Sequence, residues 1–339
     1  MRDEKKLRSW RPDSTNRVSG EPGVVQFGLQ ADEPTSLAIL DRAFEAGLDF
    51  LDTADVYPLG ARVEQTGITE EIIGRWLESR CARARVFLAT KCRGKMGEGP
   101  NDSGLSRFHI QRAVEASLRR LRTDVIDLYQ THFPDPHTPI DETLRALDDL
   151  VRAGKVRYVG CSNYPLFRLA DSARCARELG LARYETLQPR YNLLYREIET
   201  ELLPWARQEQ LGVIVYNPIA GGLLSGKYSA HEAPRAGTRF TIRGAGEMYQ
   251  KRYWDEAQLE AVADLARAVA ERGLALASVA VAWVLAQPGV TSAIVGASRP
   301  EQLDATLAGA ELDLDADLAR LCDQVWWRLP RRPVVEGYR

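Results

Sequence analysis

The stretch that decides the fold runs from Val125 to Asn163, VIDLYQTHFPDPHTPIDETLRALDDLVRAGKVRYVGCSN. It opens on a β-branched and aromatic run, Val125 to His132, which reads as a strand. After a proline-broken turn, DETLRALDDLVRAG (Asp141 to Gly154) repeats its apolar residues at helical spacing and ends on a glycine suited to a helix C-terminus. A second strand, Tyr158 to Ser162, follows. Strand, helix and strand in that order make a unit whose strands pair in parallel, because only a crossover of this length returns the chain to the same end of a sheet.

The same rhythm extends in both directions. Strands are expected at Val24 to Phe27, Leu48 to Asp52, Val86 to Lys91, Val125 to His132, Tyr158 to Ser162, Thr186 to Pro189, Gly212 to Tyr216 and Ala293 to Gly296. Between them lie the helical patterns SLAILDRAFEAG, TEEIIGRWLES, HIQRAVEASLRRLR and EQLDATLAGA. Eight such units favour a closed α/β barrel, a single (β/α)8 TIM-barrel domain over residues 1–339, although 339 residues alone would also fit two domains. Residues 1–22 form an N-terminal arm and residues 314–339 a C-terminal helix and tail. Long interruptions at Gly94 to Ser106 and Tyr228 to Trp254 follow strands, where loops carry function.

Hydrophobic residues make up 45% and charged residues 27%, the balance of a globular chain with a sizeable core. A net charge of -2 offers no field for a polyphosphate backbone, so nucleic acid is not an expected partner. Five scattered cysteines without a CxxC pair suit reduced thiols. The charged start lacks a secretory signal and no apolar run is long enough for a membrane span, which reads as cytoplasmic and off the membrane. His109 and His137 read as surface or helix residues, and no metal site is expected.

The apolar runs end in polar groups: FLDTADVY, VFLATK, VIDLYQTH, YVGCSN, TLQPRYN, VIVYNP and AIVGAS. In a barrel these ends converge on one face, where the chemistry of such folds sits. They nominate Asp52, Tyr57, Lys91, His132, Asn163, Gln188, Tyr216 and Ser298. Each taken alone reads as a cap, a packed ring or a solvated charge; together the first four make a proton-donor set. A phenol with an ordinary pKa near 10 donates poorly unless an ammonium stabilises its phenolate. Lys91 would supply that charge, Asp52 would orient it, and His132 would bond a carbonyl oxygen.

These residues resemble the aldo-keto reductases, over roughly Gly23 to Trp327. The family's Asp, Tyr, Lys and His are matched by Asp52 and Tyr57 in FLDTADVY, Lys91 in LATK and His132 in LYQTH. GKVRYVGCSNY, LQPRYNLL, YNPIAGGLLSGKY and GASRPEQL are similar to its cofactor segments, in the manner of bacterial and potassium-channel β-subunit-like members. The resemblance implies hydride transfer from NADPH to an aldehyde or ketone, with Tyr57 as general acid. It further implies that Ser162 and Asn163 bond the nicotinamide carboxamide, that Gln188 helps to fix it, that Tyr216 stacks on its ring, and that Asp52 belongs to the cofactor-binding set as well. The loop of Asn217, Pro218, Ile219, Ala220, Gly221 and Leu223 would fold over the pyrophosphate with Lys227. Gly296, Ser298, Arg299 and Gln302 would hold the adenosine end.

Ser298-Arg299-Pro300-Glu301 has capping-box spacing, so a helix is expected to start there and Arg299 to meet an adenosine 2'-phosphate, favouring NADPH over NADH. The sequence departs from the family's pattern at Ala305 and Thr306, where many members carry Glu and Asn for the adenine. It departs again at Pro22-Gly23-Val24, where the first strand is expected to be short or irregular.

GGLLSGKY, Gly221 to Tyr228, nearly spells a P-loop but puts Tyr228 where a magnesium-binding hydroxyl belongs. GCSNY lacks the last glycine of a nucleophile elbow, and no G-x-G-x-x-G follows a strand. The readings carried forward are a carbonyl reductase, a non-catalytic NADPH-binding redox-sensing subunit, and a P-loop NTPase. The partner expected is a small-molecule carbonyl; assembly as a homo-oligomer stays open. Phe133, Tyr164, Trp254, Trp326 and Trp327 are candidates for a substrate pocket, and Arg328, Arg331 and Arg332 for contact with an anionic substrate such as a nucleotide-linked keto sugar.

Overall fold

A computed structural model describes residues 27–330 and the backbone of Glu21 and Pro22. Residues 24–26 of the expected first strand, and Arg331 and Arg332, lie outside the described residues. The strands are β1 (Glu21–Pro22), β2 (Phe50–Asp52), β3 (Phe87–Cys92), β4 (Ile126–Thr131), β5 (Val156–Ser162), β6 (Thr186–Gln188), β7 (Gly212–Val215) and β8 (Ser292–Val295). They are ordered β1-β8-β7-β6-β5-β4-β3-β2, and every neighbouring pair is parallel. The two ends of this order, β1 and β2, touch, which rolls the sheet into a (β/α)8 barrel.

The first strand differs from expectation. Glu21 and Pro22 pair with Ile294 and Val295 of β8, so the last two residues of the arm belong to the barrel. Pro22 brings a carbonyl but no N–H to that ladder. Phe27, expected as strand, makes only an isolated bridge to Ala31.

The helices are α1 (Glu33–Glu45), α2 (Ile68–Ser79), α3 (Arg107–Leu121), α4 (Ile140–Arg152), α5 (Leu166–Leu179), α6 (Leu202–Gln208), α7 (Gly246–Tyr253), α8 (Glu256–Ala270), α9 (Leu276–Leu285), α10 (Gln302–Glu311) and α11 (Ala316–Arg328). Short polar side chains start several of them. Asp32 accepts the N–H of Thr35, Ser106 that of His109 and Asp315 that of Leu318, each satisfying a donor that the first turn leaves unpaired. Among the described residues no helix is long and apolar enough to cross a membrane.

Two apolar layers result. The larger fills the space between strands and helices, where α4 buries Leu144, Ala146, Leu147 and Leu150. The smaller, Phe50, Ala89, Leu128, Ile214 and Ile294, fills the barrel itself. Side chains alternate along a strand, so the residue two positions further on lies on the same inward face. That rule carries Phe50 to Asp52, Ala89 to Lys91, Leu128 to Gln130 and Ile214 to Tyr216, and sets a polar layer directly above the apolar one.

Candidate active site

Asp52 is the centre of that polar layer. Lys91 donates to its Oδ2, while the amides of Gln130 and Gln188 donate to its Oδ1 at 2.9 Å each. Lys91 Nζ also donates to the carbonyl of Thr53 at 2.8 Å. Both charged groups are almost fully buried, so each depends on the other and on these amides for what water would have supplied. Lys91 therefore reaches the site from beneath, through Asp52.

Tyr57 and His132 stand above this layer with their rings edge to face, centroids 5.6 Å apart, and His132 stacks on Phe133. Burial pushes the Tyr57 phenol well above its ordinary value; Asp52, Tyr249 and Tyr216 add to the effect and Arg239 opposes it. The direction is opposite to the expected one. The ammonium of Lys91 is engaged with Asp52 and lies 5.4 Å from the centre of the Tyr57 ring. At neutral pH the phenol is thus a protonated donor. Burial, with Lys91 and Arg93 adding, holds His132 well below its ordinary value, which leaves a neutral imidazole able to bond an oxygen.

A cavity of about 780 Å³ opens over these groups. Asp52, Tyr57, His132, Ser162, Asn163, Gln188 and Tyr216 line it, joined by Asn217, Pro218, Ile219, Gly221, Lys227, Gly296, Ser298, Arg299 and Gln302. Ala220 and Leu223 pack into the apolar core instead. Ser162 and Asn163 turn inward rather than capping α5, whose N-cap is Pro165. Ser162 donates to the carbonyl of Gln188 at 2.8 Å, Asn163 to that of His132 at 3.0 Å, and the Tyr216 hydroxyl donates to Asn163 Oδ1 at 2.7 Å. Asn163 and Asn217, just past β5 and β7, both have φ of 59°, a left-handed turn that asparagine tolerates better than most residues.

The donor set fits a nicotinamide dinucleotide. After Asn217 the chain makes a tight 3-10 turn, Ala220–Ser225, in which Gly221 has φ of 67° and a Cβ would stand 2.7 Å from Tyr249. Only glycine takes this φ without strain and lets Tyr249 pack so closely on the turn. The Asn217 amide nitrogen is buried without a partner in the same wall. Burial, followed by repulsion from Arg299 and Arg235, lowers the pKa of Lys227, so cations gather at this end and suit phosphates. No helix starts at Lys227, and Tyr228 packs against Phe240 and Trp254, which removes the P-loop geometry.

The expected capping box closes one residue late. Gln302 Oε1 accepts both the N–H and the hydroxyl of Ser298, and α10 begins at Gln302 with Glu301 as N-cap. Pro300 sits in the preceding turn. Arg299 remains in the cavity wall, as do Ala305 and Thr306.

The sequence matches the profile of the aldo/keto reductase family over residues 22–326. The chain belongs to that family. YrpG of Bacillus subtilis strain 168, named an uncharacterized oxidoreductase, is 40% identical over 90% of this reductase and 90% of its own length. YhdN of the same organism, named an aldo-keto reductase, is 35% identical over 81% of this chain and 78% of its own. An Arabidopsis thaliana protein named a probable voltage-gated potassium channel subunit β is 33% identical over 93% and 94%. This aldo/keto reductase is accordingly an oxidoreductase.

Several expected pocket residues of the reductase lie elsewhere. Of the aromatic candidates, only Phe133 lines the cavity: Tyr164 is buried against Tyr184, Trp254 packs on Phe240, and Trp327 is exposed on α11. Trp326 and Arg328 are on α11 as well, and Arg328 lies 3.9 Å from Asp264. The structure adds Gln130, Arg93, Arg239 and Tyr249. Gln130 alone carried a signal in the sequence, its place two residues after Leu128 on an inward face.

Proposed function

We propose that this protein reduces an aldehyde or ketone to the alcohol with NADPH, Tyr57 donating the proton. NADPH, when bound along the cavity, supplies the hydride. As negative charge grows on the carbonyl oxygen, Tyr57 gives up its proton to that atom and neutral His132 hydrogen-bonds it. Asp52 and Lys91 hold the floor of the site beneath Tyr57. Ser162, Asn163 and Gln188 would bind the carboxamide, with Tyr216 against the ring and Lys227 and Arg299 toward the phosphates. The single observation that carries this reading is a buried phenol and a neutral imidazole meeting at one end of a cavity whose other end gathers cations.

A second reading, a cofactor-binding subunit without turnover, follows from the likeness to the plant channel subunit. Purified protein mixed with NADPH and a panel of carbonyls separates the two. Loss of NADPH absorbance that falls about 10²- to 10⁴-fold in Tyr57→Phe supports reduction. Tight NADPH binding with no carbonyl consumed supports the subunit.

A further inference from the structure

β3 sends Lys91 beneath the cavity and, two residues on, sends Arg93 into its wall. Arg93 has φ of 121°, a backbone region that glycine enters freely and side-chain-bearing residues rarely do. The neighbouring Gly94 is needed for a different reason, because a Cβ there would stand 2.6 Å from Val56. Backbone of this kind survives where its surroundings hold it, and it gathers at ligand sites. What the strained turn delivers is a guanidinium lying 5.9 Å from the centre of the Phe133 ring, with its Nε buried and unpartnered.

The acid within electrostatic reach of Arg93 is already engaged. Asp135 accepts the N–H groups of Leu105 and His137 and the hydroxyl of Thr138, at 2.8, 2.9 and 2.8 Å. Arg93 and His132 both project from the β3–β4 side, across the barrel from the Lys227 and Arg299 cluster after β7 and β8. Val56 and Phe133 share its part of the wall.

We propose that Arg93 sets substrate choice: the carbonyl compound carries an oxyanion, a carboxylate or phosphate, that pairs with this guanidinium while its carbonyl meets Tyr57 and His132. The inference rests on the carbonyl reduction assigned above. The apolar side chains of Val56 and Phe133 beside it suit a short aliphatic or aromatic spacer between the two groups. Arginine suits the task because its planar fork pairs with both oxyanions through two hydrogen bonds.

The test compares para-carboxybenzaldehyde with its methyl ester, and glyceraldehyde phosphate with glyceraldehyde, as NADPH-dependent substrates. The wild type is expected to favour one or both charged members by about tenfold or more in kcat/KM, mainly through KM. The carboxylate and phosphate pairs tell the two oxyanions apart. Arg93→Gly, which relaxes the backbone and so keeps the fold, should erase the preference, and Arg93→Lys should restore part of it. Equal kcat/KM within both pairs, or a preference that survives Arg93→Gly, overturns the proposal.

Calorimetry keeps this result separate from catalysis. Para-(hydroxymethyl)benzoate and glycerol phosphate are titrated into the wild type and Arg93→Gly with NADP+ present. If no aldehyde is turned over, the reduction reading falls. In that case binding of either anion that weakens about tenfold in the variant still supports an oxyanion seat at Arg93, while equal binding refutes it.

Discussion

The floor and the roof of the cavity are held in different ways. On the floor, Asp52 accepts from Lys91, Gln130 and Gln188, and all four side chains are buried. Across the roof, residues 228–254 run as a strap with much of their length exposed. Gln30 donates to the carbonyl of Gly237 at 2.9 Å, pinning one edge. Gly244 lies against Gly60 near the other, where a Cβ on Gly60 would stand 1.9 Å from the carbonyl of Arg243. The floor depends on charges and amides that cannot be left unpaired out of water, the roof on packed rings, Tyr228, Phe240, Tyr249 and Trp254, and on the close approach of two backbones at its edge. The first arrangement couples the site to the stability of the barrel. The second lies above the strand ends, so a change there is expected to shift the strap before it unfolds the barrel.

The largest effect expected from this contrast is at Lys91. Lys91→Met leaves the Asp52 carboxylate buried without its cation, a loss of about 3–5 kcal/mol in folding free energy. Urea denaturation should show it, and carbonyl reduction should fall as well because the floor no longer holds its geometry. Adding Asp52→Asn removes the stranded charge, so the double variant should recover part of the lost stability. A Lys91→Met protein as stable as the parent would mean that the floor is not the coupled unit its hydrogen bonds describe.

The floor was also the more legible region. The polar ends of FLDTADVY and VFLATK were enough to bring Asp52 and Lys91 to one face, because a barrel gathers the ends of its strands at one mouth. Gln130 went unread only because a glutamine inside VIDLYQTH looks like ordinary strand. The strap carries no period, so neither the 3-10 turn at Arg239–Thr241 nor helix α7 stood out, and Arg239 was missed. Two further differences have separate origins, one tertiary and one local. The Tyr57 phenol rises because of burial, which local sequence does not report, and α10 starts late because Gln302, not Glu301, reaches back to Ser298. The φ of Arg93 had no sequence signal beyond the glycine beside it.

The roof should respond differently. Gly60→Val places a branched side chain at φ of 83° and against the Arg243 carbonyl, so the strap is pushed away from the loop that follows Tyr57. NADPH release, followed by fluorescence on displacement with NADP+, is expected to accelerate about tenfold, as befits a lost closure rather than a lost contact. Denaturation midpoints should move far less than in Lys91→Met. A large loss of stability with unchanged release would reverse the assignment of roles.

The smallest effect sharpens the comparison through pH. His132, beside the floor, has its pKa lowered by burial first and by Lys91 and Arg93 next, so the folded protein keeps it neutral where the unfolded chain protonates it. Below about pH 6.5, the ordinary histidine value, the unfolded state therefore binds the extra proton and stability falls as pH falls, until the lowered folded value is reached. One such group contributes a slope of at most about 1.4 kcal/mol per pH unit. His132→Gln should flatten the stability profile by up to that amount between pH 6.5 and the folded value. Burial lowers the pKa of His109 on α3 too, so some of the slope should persist. A profile unchanged by His132→Gln would mean that the imidazole is not held neutral in the folded state, and that the wall above Asp52 is wetter than its burial indicates.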